Sequence, residues 1–245
     1  MDGYGELCAW FYDLDKPTAP ELSFAWFAGA LPSGLILEPM CGSGRFLVPL
    51  LQRGFNVEGC DPSPAMLARC REKLAAAGLE TRIWQASLAE LEPADYDAAF
   101  IPAGSFCLLH DPAEAREGLK RLHGALKPEG VLLLEFEPPY GAGDWPGQTT
   151  RVVSQGGTQI RLVSRQHYDP QTQIESYENR YELRQSGRLL RTEDEVLRLR
   201  CYTPEQMEAE LRAAGFSEIV IEHQDFGWVA QARRSSDADA GTAGR

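Results

Sequence analysis

Leu35-Ile36-Leu37-Glu38-Pro39-Met40-Cys41-Gly42-Ser43-Gly44 is a short apolar run that ends in a carboxylate and passes into a loop with two glycines one residue apart. The run reads as a buried strand. Arg45 to Arg53 after it has the apolar spacing of a helix, with Pro49 in its early turns and Gly54 at its end. Strand, glycine turn and helix in that order form the first unit of an open parallel sheet. The same alternation continues outward. Asn56 to Asp61 is a second strand, and Pro64 to Ala77, stopped by Gly78, a second helix. Arg82 to Gln85 and Tyr96 to Ile101 supply strands three and four, Asp111 to Leu126 a third helix, Lys127-Pro128-Glu129-Gly130 a turn, and Val131 to Phe136 strand five.

Past Pro138-Pro139 the texture changes. Gly and Pro are dense up to Gly157, and three strand-like runs follow, roughly Thr158 to Tyr168, Gln173 to Arg184 and Leu189 to Arg200. Asp169-Pro170-Gln171 and Gln185-Ser186-Gly187 between them read as hairpin turns, so an antiparallel three-stranded flap is expected. Thr203 caps a helix through Ala214, closed by Gly215, and Ile219 to Ile221 and Trp228 to Ala230 add two strands. The organisation expected is a helical cover over residues 1–34, a sheet domain built from 35–137 and 201–233, the flap over 138–200, and a disordered tail over 234–245.

With 24 Lys and Arg against 36 Asp and Glu, the chain carries a formal charge of −12, which repels a phosphate backbone and argues against a nucleic-acid substrate. Residues 151–200 are the exception, with nine Arg and seven acidic residues. No stretch has the length of apolar sequence a membrane span needs. The opening Met1-Asp2-Gly3-Tyr4-Gly5-Glu6 has an acid where a secretory signal has positive charge, so a cytoplasmic location is expected. The six cysteines show no C-x-x-C pairing and read as reduced core residues.

The glycine loop does not fit a dinucleotide fingerprint, which wants Gly or Ala where Leu47 stands. Glu38, at the end of the same strand, repels a pyrophosphate but attracts a cationic amino acid head. Asp61, nineteen residues after Gly42 at the tip of the second strand, is placed to accept from both hydroxyls of a ribose.

Three segments together resemble the class I S-adenosylmethionine-dependent methyltransferases of small-molecule type: Glu38 to Gly44, Asp61-Pro62-Ser63-Pro64-Ala65-Met66-Leu67, and Leu126 to Gly130. The resemblance covers residues 35–137 and, more loosely, 203–233. It implies an α/β fold with a Rossmann-like, doubly wound, mostly parallel seven-stranded sheet and an antiparallel flap inserted after strand five, with S-adenosyl-L-methionine as cofactor. Carried over by position, it assigns the methionine part of the cofactor to Glu38, Met40, Gly42 and Gly44, the ribose to Asp61 with Pro62 and Met66 beside it, and the adenine to Gln85, Ala86 and Ser87. Many members have Asp where this chain has Ser87. Ile101 and Pro102 match the motif lining the methyl group. Tyr12-Asp13 resembles the aromatic element that covers the cofactor, and the flap is similar in architecture to the sheet of aminosugar and glycine N-methyltransferases.

Transfer from a sulfonium needs alignment and water exclusion more than activation, and no metal. An acceptor that must lose a proton calls for a base, for which His110 after strand four, His167 on the flap and Glu137 past strand five are the candidates, while Leu108 stands where some aminosugar enzymes have a His. Arg161 and Arg165, on the same flap face as His167, suit an anionic acceptor. The resulting expectation is methyl transfer to O or N of a small molecule by a monomer or homodimer. Two other readings stay open: cyclisation or elimination using the same cofactor, and a non-catalytic cofactor-binding regulator.

Overall fold

A computed structural model describes residues 4–139 and 147–235. Two sheets organise them. The larger has seven strands in the order β10-β11-β5-β4-β1-β2-β3, with β1 Leu35–Pro39, β2 Asn56–Asp61, β3 Ile83–Gln85, β4 Tyr96–Ile101, β5 Leu126–Phe136, β10 Phe216–Gln224 and β11 Gly227–Arg234. Strands β1 to β5 pair in parallel, and β11 runs antiparallel to both β5 and β10. The order reverses on the two sides of β1, so the loops after β1 and β4 diverge and leave a crevice at the carboxyl edge, where open α/β sheets bind ligands.

Local chemistry explains the elements. Helix α4, Pro64–Ala77, starts where the Ser63 hydroxyl accepts from the Met66 amide and Pro64 occupies the first turn, and it ends at Gly78 in the left-handed conformation. Helix α6, Pro204–Ala213, carries a full capping box between Thr203 and Gln206. Pro49 shortens α3 to Leu47–Gln52, against the expected start at Arg45. Two apolar layers cover the central sheet. Phe27, Phe46 and Phe100 anchor the one shared with α2, Glu21–Ala30, α3 and α4, while Leu119, Leu122 and Met207 anchor the one shared with α5, Pro112–Ala125, and α6. Each such side chain contributes about 1.5–3 kcal/mol by leaving water.

The flap is a separate antiparallel sheet of four strands, β6 Gln148–Gln155, β7 Thr158–Asp169, β8 Ile174–Gln185 and β9 Arg188–Arg200. The expected three-stranded flap thus gains β6, whose start lies in the Gly- and Pro-dense stretch that reads as loop. Helix α1, Glu6–Asp15, bridges the two sheets: Leu7, Cys8 and Phe11 pack on Ile160, Leu162 and Tyr181 of the flap. The flap's Glu193 carboxylate accepts from the Leu7 and Cys8 amides at 3.1 and 3.0 Å, satisfying two of the otherwise open N–H groups of that helix. All six cysteines are buried and none is in a disulfide. No helix among the described residues is long and apolar enough to cross a membrane. The expected disordered tail lies, but for its first two residues, outside the described residues.

Candidate functional site

A narrow cleft opens at the carboxyl ends of β1, β2 and β4. Asp61, at the tip of β2, is 7% exposed and accepts two backbone hydrogen bonds, from Gly42 N to Oδ2 and from Ser63 N to Oδ1, each 2.8 Å. Those bonds tie the glycine loop to the ribose-side strand. Each carboxylate oxygen keeps a further lone pair. Burial lifts its carboxyl to about 6, with the two amides pulling the other way.

Two glycines make this turn for different reasons. Gly44 has φ +76°, and a Cβ there would stand 2.7 Å from the Cys70 Sγ and 3.1 Å from Val48 Cγ2. Gly42 has φ +53° with open space around it, so a side chain there would project into the cleft it lines. Met40 and Ala103, on the loops after β1 and β4, also hold positive φ, 60° and 57°. Such strain in residues with a Cβ is concentrated at binding sites.

Glu38 and Arg45 place an acid and a base in the cleft. Glu38 is 2% exposed, and burial holds its carboxyl well above the usual carboxylate range. Its Oε2 has no hydrogen-bond partner among the described residues, and neither has the Arg45 Nε. Arg45 Nη1 donates to the Tyr12 hydroxyl at 3.0 Å, and its guanidinium lies over that ring, 5.8 Å from the centroid. A carboxylate oxygen and a guanidinium nitrogen, both buried and both unbonded in one cleft, fit the ammonium and carboxylate of an amino acid head.

The cleft adjoins a chamber of about 580 Å³ under the flap, and Tyr4, Tyr12, Arg45, Ala103, Ser105 and Leu108 line both. Glu135, at the end of β5, holds the junction together: its Oε2 accepts from Ser23 Oγ at 3.0 Å and from the Ala103 amide at 2.8 Å. On the flap side the chamber wall includes Thr149, Gln166, Tyr177, Asn179, Tyr181 and Glu195.

Of the sequence-assigned cofactor residues, the structure brings Tyr12, Glu38, Met40, Gly42, Asp61, Pro62, Met66 and Pro102 to the cleft. Gly44 sits behind the loop and Ile101 is fully buried in β4. Gln85, Ala86 and Ser87 are not at the cleft wall: Gln85 Nε2 donates to the Pro62 carbonyl, and Ser87 caps a short turn with Glu90. Of the candidate bases, His110 borders a neighbouring groove with Leu108 and β9 residues, not the chamber. His167 is exposed on the outer flap face with Arg161 and Arg165, because the period of two that groups these residues turns all three away from Leu162, Ser164 and Gln166. Glu137 is half-buried beside Gly104, with its carboxyl raised by burial. Sequence reading missed Tyr4, Arg45 and the part Ser63 plays. Arg45 was legible as the cation directly after the glycine loop.

Residues 36–130 match a family model described as a methyltransferase domain. A glycine/sarcosine N-methyltransferase of Halorhodospira halochloris is 35% identical over 103 residues, 41% of this chain and 38% of that one. The chain spans less than half the length of the first curated relatives it matches. Likeness to solved structures extends over the whole fold, flap included. The sugar N-methyltransferase KedS8 from Streptoalloteichus sp. superposes with a TM-score of 0.78 at 23% identity, over 96% of both chains. The amino pentose methyltransferase CalS10 from Micromonospora echinaspora, solved with S-adenosylmethionine bound, gives 0.70 at 22%, over 96% of this chain and 99% of that one. The matched segment therefore sits in a fold that places a β flap over the carboxyl edge of its sheet.

Proposed function

We propose that the protein is an S-adenosylmethionine-dependent methyltransferase acting on O or N of a small molecule. The observation that carries this reading is the shared wall of cleft and chamber: a site for an amino acid and ribose opens, through Tyr4, Tyr12, Ala103 and Leu108, into a space large enough for a second molecule. Cyclisation or elimination within the cofactor needs no such space.

Glu38 and Arg45 would hold the ammonium and carboxylate of the methionine part, and Asp61 the ribose hydroxyls. Bound there, the cofactor supplies an already activated methyl group. The protein's own work is alignment and exclusion of water. Helix α1, pinned by Glu193, covers the junction, and the Ala103 amide is fixed by Glu135 so that the loop after β4 keeps its shape. No histidine lines either space, so none of the expected histidine bases reaches the junction. An acceptor whose nucleophile is already unprotonated needs none.

Calorimetric titration with S-adenosylmethionine and S-adenosylhomocysteine, followed by mass analysis of products from an amine and alcohol panel, tests the proposal. Binding of both, with S-adenosylhomocysteine as the turnover product, supports it. Absence of binding, preference for NADH, or release of methylthioadenosine would overturn it.

A further inference from the structure

One rung of the flap carries polar side chains on all four strands. Thr149 of β6 faces Ser164 of β7, Ser164 faces Asn179 of β8, and Asn179 faces Glu195 of β9. Alternation puts the four on the inner face, and Thr149, Asn179 and Glu195 line the chamber. In a sheet that packs on an apolar layer, a rung of this kind is costly unless every group is bonded.

It is not fully bonded. Asn179 Nδ2 donates to Glu195 Oε2 at 3.3 Å, and because a carboxylate accepts only, this contact fixes which end of the amide is which. Among the described residues the Asn179 Oδ1 then lies buried without a partner, and so does the Ser164 Oγ on the facing strand. Ser164 is 3% exposed and Asn179 8%. Facing side chains start only about 4.5–5.5 Å apart at Cβ, yet these two do not bond each other. Asn179 stands in the chamber wall and Ser164 faces it on the next strand, so the two unmet polar atoms call for a third group that serves both.

The chemistry of that group follows from the atoms. Asn179 Oδ1 can only accept, so the group must bring a proton. Ser164 Oγ–H both donates and accepts. Neighbouring Glu195, whose oxygens already accept from the Tyr4 amide, Asn179 and Tyr181, repels an anion. Arg151, the flap cation in the same wall, is held by Asp15. A carboxylate or phosphate fails on both counts, and a hydroxyl meets both.

We infer that the Thr149–Ser164–Asn179–Glu195 rung is a hydroxyl subsite, which makes the methyl acceptor a hydroxylated, non-anionic molecule whose hydroxyl-bearing part lies against the flap. The inference rests on the methyltransferase reading and replaces the anionic acceptor suggested by Arg161 and Arg165, which face outward. Ser164 and Asn179 are specificity-determining residues in this scheme, not catalytic ones.

The test compares glucamine with hexylamine, probes that share a carbon chain and an ammonium and differ in hydroxyls, each titrated into protein saturated with S-adenosylhomocysteine. Glucamine is expected to bind about tenfold tighter. Ser164→Ala and, separately, Asn179→Leu should reduce that preference to about threefold or less while leaving S-adenosylhomocysteine affinity unchanged. Ser164→Ala also guards against a folding artefact, since it removes a hydroxyl with no protein partner, and its melting temperature is expected to match or exceed that of the wild type. Equal affinity of the two probes, no glucamine binding up to about 50 mM, or a preference that survives both substitutions would overturn the inference. So would a crystal structure with glucamine in which the rung holds only an ordered water. Failure of S-adenosylhomocysteine itself to bind would instead sink the methyltransferase reading.

Discussion

Replacing Asp61 by Ala removes one carboxylate that does two jobs. In the free protein it accepts the Gly42 and Ser63 amides at 2.8 Å, and the Ser63 contact is buried. Leaving a buried amide unmet costs about 1–3 kcal/mol, so the variant should unfold with a loss of about 2–4 kcal/mol, the Gly42 amide at the cleft being partly rescued by water. In the complex, the hydroxyls of a ribose would lose a charged acceptor worth about 1.5–3 kcal/mol, or a tenfold to hundredfold weaker Kd for S-adenosylhomocysteine. A double-mutant cycle separates the two effects. Calorimetry with S-adenosylhomocysteine and its 2′-deoxy analogue, on wild type and variant, should show a penalty for the deoxy ligand that shrinks or vanishes in Asp61→Ala. A penalty of the same size in both proteins would mean that Asp61 does not touch the ribose, and the assignment of the cleft would have to be redrawn. Denaturant unfolding of the unliganded proteins gives the other half. Unchanged stability would refute the claim that this side chain holds the glycine loop.

Protonating Asp61 should act like the substitution on cofactor binding and opposite to it on stability. Its folded pKa of about 6 exceeds the ordinary value, so the group favours the folded state below its unfolded pKa, and that contribution is lost as pH rises through about 6; cofactor affinity, which needs the ionised form, runs the opposite way and should fall by up to about tenfold per pH unit below 6, as read by calorimetry. Gly44→Ala should cost about 2 kcal/mol or more in stability, because the added methyl meets Cys70 Sγ at 2.7 Å, whereas Gly42→Ala should cost about 1 kcal/mol and lose cofactor binding instead. Thermal melts beside titrations show whether the two glycines divide in this way. Glu193→Ala should free the first turn of α1, seen as faster proteolysis within residues 4–16 and a raised off-rate for S-adenosylhomocysteine; an unchanged cleavage pattern would mean that apolar packing of Leu7 and Phe11 suffices to hold the helix.

How far the sequence could be read depended on whether a residue's role was local. Helix α4 was legible to the residue because Ser63, Pro64 and Gly78 each act on the backbone within a turn of themselves. The cleft residues Glu38, Gly42 and Asp61 were legible because strand ends and a glycine turn fix where they must lie. Strand β6 was not, since its neighbours Trp145-Pro146-Gly147 signal a loop and its pairing with β7 is the only thing that makes it a strand. The flap's sidedness was readable as a period of two but not its sign. Alternation grouped His167 with Arg161 and Arg165, and only the packing of Leu162 on α1 decides that this group faces water. Ser87 was assigned to the cofactor by position, yet its local chemistry, Glu90 three residues on, makes a cap.

The contact between the start of α1 and Glu193 also sets an order of events during synthesis. Its partners are separated by 186 and 185 positions, so α1 leaves the ribosome long before its anchoring carboxylate does. Until β7 and β8 emerge, Leu7, Cys8 and Phe11 have no flap surface to cover, and the apolar face of α1 stays exposed to water or to other chains. The central sheet, with its parallel pairs close in sequence, can form meanwhile. Helix α1 thus settles only after strands translated long after it, and nascent chains in which β7 and β8 have not emerged should hold β1 to β5 paired with α1 loose.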